Sequence, residues 1–134
     1  VILLQATAPL CRTEDIKACI TKLANDPDCD SVVAVVPVTT HPFKMKRIVN
    51  KDTLINFIDQ GFEDMRPRQE LPVVYRRAGS VYVNRRDVVM EHDNMVSDNC
   101  RAVIVPSETA IDIDTMEDLE LVKILISRKK ECEC

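Results

Sequence analysis

Hydrophobic and polar positions fall into two regimes along the chain. It opens on Val1-Ile2-Leu3-Leu4, a continuous apolar run followed at once by Gln5, Thr7 and Pro9. An unbroken run of this length predicts a strand buried on both faces, as inside a parallel sheet. Ile16, Cys19, Ile20 and Leu23 then recur at i, i+3, i+4 and i+7, which predicts a helix from Glu14 to about Ala24 capped by Thr13. Asn25-Asp26-Pro27-Asp28 ends it, and the β-branched stretch Ser31 to Val38 predicts a second buried strand. Strand, helix and strand in this order predict a βαβ unit with a right-handed crossover.

The middle of the chain follows another pattern. Met45 to Val49 and Thr53 to Ile58 alternate around Asn50-Lys51-Asp52 and read as a hairpin. Asp59 to Pro72 is a long polar connection, of the kind that serves function or an interface. Val73 to Tyr75 and Ser80 to Asn84 read as short strands around Gly79, and Arg86 to Glu91 as one or two helical turns. Arg101 to Val105 predicts a further buried strand, stopped by Pro106. A closing helix is expected from about Thr115 to Arg128, with Thr115 as N-cap, Glu117 and Asp118 at its positive end, and Leu119, Val122, Leu125 and Ile126 as its stripe. Arg128, Lys129 and Lys130 suit its C-terminal end.

Composition narrows what such a chain can do. It has 134 residues, enough for one domain, and no apolar run near the roughly 20 residues that span a bilayer. The net charge of −4 excludes a generally basic nucleic-acid binder. Only two glycines, Gly61 and Gly79, are present, so neither a Walker loop nor a dinucleotide fingerprint exists in this chain. An opening on an interior strand leads us to expect a fragment. Six cysteines contain no C-x-x-C pair and lie far from His41 and His92, which reads as reduced thiols of a cytoplasmic protein. Cys132-x-Cys134 falls at an acidic tail, and Cys19 reads as a small core residue.

Two constellations carry candidate chemistry. In Asp112-Ile113-Asp114-Thr115, an extended backbone would turn both carboxylates to one side, a hard-oxygen pair suited to Mg²⁺ with substrate phosphates. The alternative is that Asp114 caps the closing helix while Asp112 is solvated. The second constellation is cationic: Lys44, Lys46, Arg47, Lys51, Arg66, Arg68, Arg76, Arg77, Arg85 and Arg86. Such a cluster binds a carboxylate or phosphate, or else protects a solvated sheet edge from pairing.

Four blocks in order bear on that choice: LLQATAPL (3–10) with Glu14-Asp15-Ile16, HPFKMKRI (41–48), RPRQELPVVYRRAGSVYV (66–83) and AIDIDT (110–115). Together they resemble the acylneuraminate cytidylyltransferases, the CMP-sialic acid synthetases, from the first residue to about Arg128. The resemblance implies an α/β fold, a Rossmann-like nucleotidyltransferase three-layer sandwich. It implies that residues 1–134 are the C-terminal two-thirds of a single domain, incomplete at the N-terminus, where the family's Gly-rich triphosphate loop would lie. A fragment of that kind is expected not to turn over CTP by itself. Residues 59–86 would form an antiparallel dimerisation excursion, making the protein a homodimer or dimer of dimers.

The implied reaction joins CMP from CTP to a nine-carbon sugar acid and releases pyrophosphate, with Mg²⁺ as cofactor. Position by position, Asp112 and Asp114 match the metal-binding aspartates, with Asp114, nearer the helix start, expected to be the more fixed. Gln5, Lys44, Arg68 and Arg76 match residues of the acid site, and Tyr82 an aromatic wall of it. Ala6, Ala8 and Cys11 depart from the family's Gln-Pro-Thr-Ser-Pro-Leu-Arg stretch, and Ala78 replaces the usual Asn before the central Gly.

Other readings remain beside this one. DIDT is similar to the D-x-D-x-T nucleophile motif of haloacid-dehalogenase phosphatases, but Pro106, Ser107 and Glu108 intervene after the strand and 19 residues remain beyond Thr115. A non-catalytic dimer or sugar-acid-binding module is a second alternative, and a cytidylyltransferase for a different sugar acid a third. None of these readings involves a membrane.

Overall fold

The computed structural model describes residues 1–91 and 94–132, the last four of these as backbone only. His92 and Cys134 lie outside the described residues, as do the side chains of Lys129, Lys130 and Cys132. The elements are β1 (Ile2–Leu4), α1 (Thr13–Asn25), β2 (Ser31–Pro37), β3 (Lys46–Val49), β4 (Thr53–Asn56), β5 (Tyr75–Asn84), α2 (Arg86–Met90), β6 (Cys100–Ile104) and α3 (Met116–Cys132). They form a mixed α/β structure in two compact units, Val1–Val36 with Arg76–Cys134, and Pro37–Tyr75. No helix among the described residues is long and apolar enough to cross a membrane.

The first unit holds a four-stranded mixed sheet in the order β1-β5-β2-β6. β1 runs antiparallel to β5, with Leu3 opposite Tyr82, and β2 runs parallel to β6, with Val33 opposite Ala102. β2, flanked by β5 and β6, is buried along nearly its whole length, as its composition predicts. Val32, Ala34 and Val36 join Cys19, Cys29, Ala78, Val81, Val83, Val105 and Ala110 in the core.

Two strands expected to be interior are edges. β1 is exposed throughout; among the described residues it pairs with β5 alone, which stands between it and β2. The simple βαβ pair is therefore split by a strand from much later in the chain. β6 is the opposite edge and is only half-buried, with Ile104 exposed; the buried residue is Val105, just past it.

The helix ends separate one correct expectation from one that fails. Thr13 does not cap α1. Arg12 is the N-cap and makes no side-chain cap bond, since a guanidinium has no acceptor; Asp15 and Ile16 donate to the Arg12 carbonyl and start the helix a residue early. The Arg12 guanidinium instead grips Asp15 at 2.7 and 3.0 Å. Ile20, expected in the apolar stripe, is exposed. Thr115 does cap α3: its Oγ1 accepts from the Asp118 N–H at 3.2 Å, and the Asp118 carboxylate accepts from the Thr115 N–H at 2.9 Å. This is a capping box with Asp in place of Glu. The Thr115 hydroxyl, then the Thr115 and Asp114 amides, hold the Asp118 carboxyl below its ordinary range.

The two short strands expected around Gly79 are one ten-residue strand, β5. Gly79 does not interrupt it, but its φ of +78° resets the side-chain alternation. Ala78 on one side and Val81 and Val83 on the other thereby reach the same core cluster.

The second unit contains the expected hairpin. β3 and β4 pair antiparallel from Lys46 opposite Asn56 to Val49 opposite Thr53. Asn50 and Lys51 turn the chain in the left-handed region, at φ 48° and 76°. The polar connection is tied down by its own carboxylates. Asp59 accepts from the Gly61 N–H, and Asp64 accepts from the backbone and guanidinium of Arg66. Val38 donates to the Val74 carbonyl at 2.9 Å, closing the unit where the chain enters and leaves it.

Two expectations follow, both read on the full-length protein. Gly79→Ala forces a left-handed alanine and costs about 1–3 kcal/mol of stability; an unchanged urea midpoint counts against the strain. The Arg66 side chain holds the Asp64 carboxyl down to about 2. A depressed pKa contributes stability above the ordinary carboxylate value and loses it as pH falls towards the folded value. The gap in melting temperature between wild type and Asp64→Asn should accordingly be full above about pH 4 and close towards pH 2. A gap independent of pH in that window would contradict the assignment.

Candidate functional site

In the first unit, two segments converge on β5. The chain turns immediately after β1, where the Ala8 N–H donates to the Gln5 carbonyl at 3.1 Å. The extended stretch before α3 is moored to this turn by a bond from the Ile113 N–H to the Thr7 carbonyl, 2.8 Å long. Gly79 of β5 completes the group. A Cβ on Gly79 would lie 2.9 Å from Asp112 Oδ2 and 3.3 Å from Gln5 Oε1. Glycine is therefore required twice here, for its backbone and for the room it leaves.

Asp112 is the residue with unfinished chemistry. Its Oδ1 is buried and has no hydrogen-bond partner. A buried carboxylate oxygen without a donor is costly unless a proton, a ligand or a cation meets it. With Gln5 Oε1 close by, the place offers oxygen acceptors, the donor type that Mg²⁺ takes. No group of three His, Cys, Asp or Glu side chains that could hold a metal occurs among the described residues. The protein would thus supply part of a coordination shell, as is common where Mg²⁺ keeps waters and phosphate oxygens. Asp114 differs from expectation: it is exposed, and its backbone N–H donates to Asp118. The carboxylate drawn inward is that of Asp112.

Arg76 also serves this region. Its guanidinium donates to the Ala110 carbonyl at 3.0 Å and to the Arg77 carbonyl at 3.1 Å, beside the stretch that carries Asp112. Tyr82 is 7 % exposed and lies in β5 opposite Leu3. The described thiols Cys11, Cys19, Cys29 and Cys100 are all free, and burial pushes Cys19 up to about 11, which suits core residues and not nucleophiles.

Lys44 and Arg68 belong to the second unit. Lys44 closes a 3-10 turn, Pro42–Lys44, and its ammonium donates to the Asp64 carbonyl. Arg68 opens another, Arg68–Glu70, and donates to the Val38 carbonyl at 2.8 Å. A cavity of about 150 Å³ is lined by Arg68, Gln69 and His41 together with apolar residues such as Leu71 and Val73. Sequence reasoning overlooked Gly79 as a site residue. A glycine inside a β-branched strand is the signal that marks it.

No model of a known protein family matches the chain. Curated relatives do. Post-translational flagellin modification protein B of Campylobacter coli is 29% identical over 127 residues, 94% of this chain and 52% of the relative. CMP-N,N'-diacetyllegionaminic acid synthase of Campylobacter jejuni is 28% identical over 98 residues, 73% of this chain and 40% of the relative. Pseudaminic acid cytidylyltransferase of the same species is 26% identical over 122 residues, 91% and 51% respectively. The chain spans about half the length of the curated relatives it matches. Two of the three are named for making a CMP-acid or for cytidylyl transfer to an acid, so the chain is a homologue of CMP-sugar-acid synthases, in line with its resemblance to the acylneuraminate cytidylyltransferases.

Proposed function

We propose that the protein carrying this chain transfers CMP from CTP to the anomeric hydroxyl of a nine-carbon sugar acid of the pseudaminic, legionaminic or sialic type. The observation that carries the reading is the Asp112 carboxylate: its Oδ1 is buried without a donor, and its Oδ2 shares with Gln5 Oε1 the space that Gly79 leaves open. In this reading the hydroxyl oxygen forms a bond to the α-phosphorus and loses its proton, while the bond to pyrophosphate breaks. Mg²⁺, when bound, would neutralise charge on the phosphates. Asp112 would hold it, with Asp114 as a second, more loosely placed ligand. In the first unit the resemblance assigns Gln5, Arg76 and Tyr82 to orienting and walling the acid; in the second it assigns Lys44 and Arg68 as cationic donors to a carboxylate. The fold is then the Rossmann-like three-layer nucleotidyltransferase. Of the residues 59–86 expected as its dimerisation excursion, 75–84 are β5 of the sheet, and exposed Phe62, Met65 and Val73 support an interaction surface in the rest.

Pyrophosphate release tests the proposal directly, with the full-length protein, CTP, Mg²⁺ and in turn sialic, pseudaminic and N,N'-diacetyllegionaminic acid. Turnover with one of them is expected; binding without turnover would favour the non-catalytic module. Asp112→Asn should lower kcat/KM by about a hundredfold or more, and Asp114→Asn by less, because the buried ligand is the better oriented. The reverse order would move the metal away from Asp112. Arg68→Lys keeps the charge but loses the planar two-pronged contact, so the KM for the acid should rise about tenfold or more while that for CTP stays put. Equal effects on both would remove Arg68 from acid recognition.

A further inference from the structure

One buried polar side chain of the second unit has both of its polar atoms engaged and no part in the roles assigned above. His41 is 5 % exposed and stacks edge-on to Phe43, with ring centroids 4.7 Å apart. Its Nδ1 accepts from the Phe43 N–H at 3.1 Å, and its carbonyl accepts from the Lys44 N–H at 2.9 Å. The 3-10 turn ending in Lys44 is therefore wound on His41. With Nδ1 an acceptor, the neutral ring carries its hydrogen on Nε2, which donates to the Pro72 carbonyl at 3.1 Å. Pro72 follows the turn that Arg68 opens, closed by the Leu71 N–H on the Arg68 carbonyl and anchored by buried Leu71. The Arg68 guanidinium in turn reaches the Val38 carbonyl, three residues before His41.

We infer that His41 is a positioning residue for acid recognition: one neutral imidazole fixes the turn bearing Lys44 against the segment bearing Arg68. This rests on the reading of Lys44 and Arg68 as carboxylate-binding cations. The two side chains are long and flexible, and each is separately attached to a backbone carbonyl. What sets the spacing of their starting points is the backbone between residues 41 and 72, and His41 spans it with a single ring. Its loss would spread the two cations without removing either charge, a defect in affinity for the acid and not in the chemical step.

Two variants separate the ring's functions. His41→Asn places an amide oxygen near the Nδ1 position and keeps the local turn, but cannot reach Pro72. His41→Gln extends an amide nitrogen to about the Nε2 position and keeps that link. In the full-length protein, with whichever of the three acids is turned over, His41→Asn should raise the KM for the acid about tenfold with the KM for CTP and kcat within about twofold. His41→Gln should recover most of the loss. Parallel changes in both KM values, a fall in kcat alone, or no change in the Asn variant would overturn the positioning role. Arg68→Lys measured alongside tells the two failures apart. If it leaves the acid KM unchanged, the recognition reading itself falls; if it raises that KM while His41→Asn is silent, only the role of His41 falls. Should the Asn variant not fold, the Gln variant is expected to keep the wild-type acid KM within about threefold. Nitrogen-15 spectra of the wild type should show a neutral ring protonated at Nε2, and protonation at Nδ1 instead would overturn the inference.

Discussion

The first unit depends on a side chain that is not there. β5 passes between β1 and β2 while the Asp112 carboxylate and the Gln5 amide come down onto it, and a Cβ at Gly79 would displace the first and crowd the second. The left-handed backbone at the same residue also lets Ala78, Val81 and Val83 share one core cluster. Core packing and the placement of an unsatisfied carboxylate oxygen are thus two results of one steric permission. Ala78 next to it is fully buried, a small apolar group where a polar one would need a partner.

The second unit is organised differently. Few of its side chains are buried, and backbone carbonyls and carboxylates take over as anchors: Asp64 for Arg66 and Lys44, Pro72 for His41, Val38 for Arg68. Hydrogen bonds to backbone groups fix a loop's path without demanding a core. Such a segment can also leave large apolar side chains such as Met65 and Phe62 at the surface.

Local chemistry was readable from the sequence, and long-range neighbours were not. The β3–β4 hairpin, β2, α2 and the Thr115 cap follow from residues within a few positions of one another, and the structure has them. The run Val1–Leu4 shows the limit. Its composition says that the strand is apolar, but its place in the sheet is set by pairing with β5, some eighty residues away, which stands between it and β2. Asp112 and Asp114 illustrate the same limit within the candidate site. Their spacing pairs them in sequence, yet only Asp112 is drawn inward, because Ile113 is tied to Thr7 and Gly79 makes room. Arg12 also displaced Thr13 as the cap for a reason no propensity contains, its carbonyl already taking two amides.

The exposure of β1 also bears on how this stretch of chain behaves in a test tube. Its outer edge has no strand partner among the described residues, and Val1, Ile2, Leu3 and Leu4 are each between 38% and 53% exposed. An apolar strand of this kind, free of charge and of proline, is a ready seed for edge-to-edge pairing between molecules. Residues 1–134 produced in isolation would therefore tend to self-associate through β1 as concentration rises. A lysine in place of Ile2 would act as a gatekeeper, opposing that association by charge repulsion while leaving Gly79, Asp112 and their neighbours untouched.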